Sequence, residues 1–120
     1  MTNDSITEVI GITRMKIYNY KEVVIKLNNK DRTVSHLSQI FGLGYVPGKA
    51  CVISDIRLVS LNRELFNNRL RKVVFHELGH NLGLTHCGNE DCIMSETNGD
   101  IANLNKPGGD FCESCKKKLK

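Results

Sequence analysis

Aromatic side chains are scarce in this sequence, at 6% of 120 residues, and tryptophan is absent. A surface that stacks on the bases of single-stranded nucleic acid needs more than that, so nucleic acid is an unfavoured partner. No apolar run is long enough to cross a bilayer. The N-terminus, MTNDSITEVIGITRMK, lacks a basic start followed by an apolar stretch. Nothing therefore marks a signal peptide, and the expectation is a cytoplasmic protein without a membrane partner. Repeats and low-complexity segments are missing as well. A chain of this length, 40% apolar and 25% charged, suits one compact domain with one core.

A large charge excess is also lacking. The net charge of +4 gathers in the last nine residues, CESCKKKLK, where four lysines against Glu113 give +3 and leave +1 for the other 111 residues. A basic tail can touch acidic surfaces or nucleic acid. It can equally be a solvated end that suits the negative pole of a helix, and so short a run favours that reading.

What the sequence does have is concentrated. HELGHNLGLTHCGNEDCIMS, from His76 to Ser95, holds three of the four histidines and two of the five cysteines. Either these side chains share a metal or the cluster is accidental. Around it, Glu8–Thr13, Val23–Leu27 and Ala50–Ser54 are β-branched enough to be strands, and Asn28-Asn29-Lys30-Asp31 signals a turn. Apolar residues at three- and four-residue spacings predict a short helix over Val34–Phe41. Gly42, Gly44, Pro47 and Gly48 then mark a loop.

From Leu61 the period becomes helical, through Leu65, Leu70, Val73, Val74, Leu78 and Leu82. The expectation is one long helix, Leu61–Leu82, capped by Asn62 and ended at Gly83. Ser95–Asp110 reads as loop with a helical turn near Ile101–Leu104, and a short helix follows from Phe111. Within a single domain of residues 1–120, residues 1–75 thus form the sheet and the start of the helix, and 76–120 the metal-binding part.

His76 and His80 lie four residues apart on the helix, which puts both imidazoles on one face, one turn apart. Glu77 sits beside them, free to reach a water without being a ligand, and His-Glu-x-x-His on a helix is a zinc-hydrolase signature for that reason. After Gly83 turns the chain, His86 can return to the same ion. Three nitrogen ligands leave a fourth position for water, as a catalytic zinc requires. Glu77 then serves as the base for attack on a peptide carbonyl. His36 is left as a surface or core residue.

Met94 is by itself a core filler. Beside this motif it reads as a methionine turn, an apolar floor under the metal. Cys87 and Cys92, with Cys112 and Cys115, make two short pairs joined by a longer loop, the pattern of a structural zinc on four thiolates. Unpaired thiols or two disulfides are the alternatives, and a reducing compartment disfavours the second. Cys51, in an apolar run, reads as a buried small hydrophobe.

Taken together, His76-Glu77-x-x-His80-x-x-Gly83-x-x-His86-Cys87, followed by Cys92, Met94, Cys112 and Cys115, resembles the archaemetzincins in every fixed position and gap. Residues 44–54, with Arg57-Leu58, also look like the segment preceding the active-site helix in that family. The resemblance implies an α+β, metzincin-like zincin fold, in which a twisted mixed sheet packs on the long active-site helix and a zinc clamps the C-terminal segment. It implies two zinc ions per chain and a cytoplasmic peptidase acting on peptides or proteins. Ala50, Cys51, Val52 and Ile53 would be the edge strand on which an extended substrate lies. Only 75 residues precede His76, fewer than the family usually has. The expectation is therefore a shortened N-terminal half, as a minimal version, a fragment or a subunit that relies on a neighbour, with oligomeric state open. Two other functions fit part of the pattern, a zinc-stabilised scaffold that binds peptides without cleaving them and a nucleic-acid-binding zinc module.

Overall fold

The protein is described by a computed structural model covering residues 8–97, 99–106 and 109–119. Among these residues, five strands come first, β1 (Val9–Thr13), β2 (Ile17–Leu27), β3 (Lys30–Ile40), β4 (Gly42–Gly44) and β5 (Ala50–Ser54). Three helices follow, α1 (Arg63–Asn81), α2 (Ile101–Leu104) and α3 (Glu113–Lys118). The fold is α+β, and its three-stranded sheet is mixed. β5 runs parallel to β1 on one side and antiparallel to β4 on the other. β2 and β3 form a separate two-stranded hairpin.

Two expectations are corrected. Val34–Phe41 does not form a helix: residues to Ile40 belong to β3, with Val34 opposite Val23. The reason lies in the turn. Asn28 and Asn29 both take positive φ, 52° and 63°, the two-residue hairpin geometry that asparagine tolerates and that directs the chain straight back along β2. Local three- and four-residue spacing loses to that pairing. The second correction concerns Ala50, Cys51, Val52 and Ile53, which do not form an edge. They occupy the central strand, hydrogen-bonded on both sides, and the edge next to the helix is β4, from the segment read as loop. The order across the sheet puts β5 between β1 and β4 because β1 pairs with it from 41 residues away in sequence, as in Val9 with Ala50.

Helix α1 is shorter than the expected Leu61–Leu82, and both of those leucines lie outside it and are exposed. Asn62 caps it, its side chain accepting from the Leu65 N–H at 3.2 Å. Gly83, at φ 100°, makes the left-handed turn that ends it, with Leu84 N donating to Gly79 O at 2.9 Å. The core has two parts. Phe41, Ile53, Leu58, Val73 and Leu104 pack between sheet and helix. Leu84, Cys92, Ile93, Met94 and Cys115 pack beneath the C-terminal segment, and Ile53, Leu58 and Met94 have no solvent exposure. Cys51 is buried in the first cluster, as expected, whereas His36 is exposed on β3. Among the described residues, no helix is long and apolar enough to cross a membrane.

Candidate functional site

α1 supplies His76, Glu77 and His80 from one face, and the turn at Gly83 brings His86 back to them. The three rings have centroids 4.8, 5.0 and 5.3 Å apart. Three imidazoles bound through nitrogen to one tetrahedral ion stand roughly 5 Å apart, so the cluster fits such an ion without rearrangement. Their possible ligand atoms all lie within 4.8 Å of one another.

The backbone sets which nitrogen faces the ion. His76 Nδ1 lies 2.7 Å from the carbonyl oxygen of Ile93, and His80 Nδ1 lies 2.8 Å from that of Leu84. A carbonyl only accepts, so both Nδ1 atoms carry the proton and both Nε2 lone pairs are left for a metal. Burial lowers the His76 pKa to about 4 and lowers that of His80 too, against the upward pull of those hydrogen bonds. Both rings are therefore neutral at physiological pH, the form in which histidine binds metal.

Glu77 is buried beside them, and burial raises its pKa to about 7. Its carboxylate lies against β4. A Cβ built on Gly42 would fall 2.8 Å from Glu77 Oε2 and 2.9 Å from its Cγ, so glycine is what leaves room for the acid under the strand. Ser54 N donates to Phe41 O at 2.8 Å, and Tyr45 N to Ala50 O at 3.4 Å. The peptide groups of residues 41, 43 and 45 thus face β5, and by alternation those of Gly42 and Gly44 face the other way. Among the described residues, no strand pairs with them on that side. A cleft of about 350 Å³ opens there, lined by β4, His76, Glu77, His80 and His86.

Asn81 fixes the far end of this arrangement. Its side-chain amide donates to Tyr45 O and Ala50 O, each at 2.9 Å, and Gly48 N donates to Asn81 O at 3.1 Å. Gly42 and Asn81 escape notice in the sequence. Glycines at alternate positions ahead of the helix were the available signal for the first, and nothing marks the second.

The four cysteines converge as well. Cys87 Sγ is 3.8 Å from Cys112 Sγ, and Cys92 Sγ is 3.7 Å from Cys115 Sγ. Sulfurs about 2.3 Å from a tetrahedral zinc stand about 3.8 Å apart, so the spacing fits a four-thiolate cage. None of the four is in a disulfide. Backbone donors favour thiolate here. Met94 N and Cys112 N point at Cys92 Sγ, at 3.4 and 3.3 Å, and a hydrogen bond from the Cys115 backbone lowers the Cys112 pKa to about 7. Burial pushes Cys115 up to about 12. Met94 lies between the two clusters, packed under Gly79, and its carbonyl accepts from Cys87 N at 2.9 Å.

The chain is similar to known proteins. The family model for peptidase family M54 matches residues 1–120. The archaemetzincin of Methanopyrus kandleri is 34% identical over 92 residues, covering 77% of this chain and 52% of that protein. Its crystal structure superposes with a TM-score of 0.75 at 30% identity, over 94% of this chain and 54% of that one. A zinc-dependent peptidase from Methanocorpusculum labreanum gives 0.63 at 30% identity, over 68% and 46%. The chain spans about half the length of the curated relatives it matches. With residues 1–120 matched by the family model and the same architecture in solved relatives, the chain belongs to peptidase family M54, the family of the archaemetzincins.

Proposed function

We propose that the protein is a zinc-dependent peptidase with two zinc ions per chain, one on His76, His80 and His86 and one on Cys87, Cys92, Cys112 and Cys115. The observation that carries this reading is a buried carboxylate, Glu77, held between a three-histidine cluster and the open edge of a strand. Relatives named as archaemetzincins and as a zinc-dependent peptidase support it. Zinc, when bound to the histidines, supplies a Lewis acid that polarises a carbonyl and acidifies a water.

The rest is the work of the chain itself. An extended peptide pairs with the free peptide groups of Gly42 and Gly44, which holds its scissile carbonyl across α1. Glu77, with a pKa raised to about 7, takes the proton of the attacking water and passes it to the leaving nitrogen. Met94 is the methionine turn, an apolar support under the histidine rings. The four-cysteine site is structural, because all its positions are filled by side chains.

Glu77→Gln tests the reading, since it keeps the size and removes the base. The expected result is a fall in peptide cleavage of roughly 10²- to 10⁴-fold, with zinc content and peptide binding unchanged. Cleavage that survives the substitution with zinc retained overturns the mechanism. A wild-type protein that binds peptides from a broad library and cleaves none is a scaffold instead.

A further inference from the structure

The β2–β3 hairpin extends well beyond the cleft. Its strands are eleven residues each and pair only with one another among the described residues. Two-stranded ribbons are marginal in water unless something packs on them. This one exposes Val23, Val24, Ile25, Leu27 and Val34. The radius of gyration, 16.1 Å, exceeds the roughly 14 Å of a compact chain of this length.

The register sorts the hairpin into two unlike faces. Odd-numbered residues of β2 share one face with their even-numbered partners on β3. That face carries Lys21, Lys30, Arg32 and His36 and no carboxylate. Both acids of the hairpin, Glu22 and Asp31, lie on the opposite face. On the basic face Val23 stands across from Val34, and Ile25 and Leu27 continue the apolar row. The same face meets the active site. The hairpin residues lining the cleft are Asn19, Lys21 and Ile40, all of this face. Lys21 Nζ also lies 3.7 Å from Glu96, in the segment after Met94.

We propose that this basic, apolar face is a substrate exosite. It holds a second stretch of the same polypeptide whose scissile bond lies at Glu77, an unfolded segment rich in acidic and apolar side chains. The inference rests on the peptidase reading and adds the substrate class. The face is continuous with the cleft, so a chain leaving β4 reaches it without a gap. A ribbon of eleven residues spans about 36 Å, enough for roughly ten residues of extended substrate. Carboxylates pair with Lys30 and Arg32 while apolar side chains lie along Val23, Ile25 and Val34. Contacts so far from the reacting bond act alike on bound substrate and transition state, and therefore lower KM and leave kcat unchanged.

The test uses the full chain loaded with zinc and three peptides sharing one cleavable core of about eight residues. One is the core alone, and the others carry about twelve more residues of alternating Glu and Val or of alternating Lys and Val. The expected order of KM is acidic extension lowest, with the core alone and the basic extension higher. Lys30→Glu with Arg32→Glu, both exposed and outside the catalytic machinery, should raise KM for the acidic extension roughly tenfold and leave kcat and the core peptide unchanged. Lys26→Glu, on the opposite face, matches the charge change of Lys30→Glu alone, with which it is compared, and should change nothing. Equal KM values for the two extensions, or an unchanged KM in the double variant, overturn the exosite. So does labelled single-stranded DNA that displaces the acidic peptide and binds more tightly, or a dimer that forms through the hairpin and excludes the peptide. Fluorescence anisotropy of the same peptides on the Glu77→Gln protein separates the two readings. A preference for the acidic extension without any wild-type cleavage removes the peptidase and keeps the binding face, whereas cleavage without the preference does the reverse.

Discussion

Gly79→Ala sets two effects of opposite sign against each other. In an open helix interior, alanine is favoured over glycine by about 0.8–1.0 kcal/mol. At position 79 the added Cβ would overlap Met94 Sδ, approach Met94 Cε to 3.1 Å and Phe111 Cε1 to 3.2 Å. Met94 has no solvent exposure and thus no free direction in which to withdraw. Overpacking a closed core costs typically 1–3 kcal/mol, and contact with three atoms puts this case at about 2–3. Subtracting the propensity gain leaves a net loss of about 1–2 kcal/mol. For a chain of this size that lowers Tm by roughly 3–8 °C, read in thermal melts at fixed excess zinc. Any retreat of Met94 moves its carbonyl, which Cys87 N uses, so zinc retention should weaken alongside. In a Met94→Ala background the overlap with Met94 is gone and only the 3.2 Å approach to Phe111 Cε1 remains, so the same substitution should cost much less. A rise in Tm in the otherwise unaltered protein, or an equal loss in both backgrounds, refutes the packing described here.

Elemental analysis of purified protein should find two zinc ions per chain, and a mild chelator should remove one well before the other, because an open three-ligand site exchanges faster than a closed thiolate cage; a single ion per chain refutes this. Cys115→Ser, at a buried cage position, should unfold or strongly destabilise the protein, since metal binding in a small domain is folding free energy. His86→Ala, at an exposed position, should leave a folded chain with a weakened histidine site. Identical melts for those two variants contradict the division of roles. Asn81→Ala removes two hydrogen bonds that tie the β4–β5 connection to α1 and leaves the Tyr45 and Ala50 carbonyls without that donor. It should cost about 1–3 kcal/mol in denaturant unfolding, and a loss below about 0.5 kcal/mol counts against its role as a brace.

The candidate site was legible wherever chemistry and local geometry coincide. His76, Glu77 and His80 depend only on the helical period, Asn62 and Gly83 mark the helix ends by their own backbone preferences, and the cysteine pairs have spacings that suit one ion. The misreadings share a different cause. Whether Ala50–Ile53 is central or at an edge depends on β1, which reaches it from 41 residues away, and no short window contains that information. Val34–Phe41 carries a spacing compatible with a helix, but the Asn28–Asn29 turn settles the pairing first. Gly42 matters through what it lacks, since its missing side chain is the space that Glu77 fills.

Ile93 and Met94 join the histidine and cysteine clusters through consecutive carbonyls. One accepts from the His76 imidazole and the other from the Cys87 backbone. A displacement of this dipeptide reaches both clusters, so with an ion bound at each, as proposed above, the two occupancies would be linked. Whatever factor an ion on the thiolates would add to affinity at the histidines, an ion on the histidines would return to the cysteines. Titrating one cluster should therefore shift the apparent dissociation constant of the other, and the dipeptide sets the size of that shift.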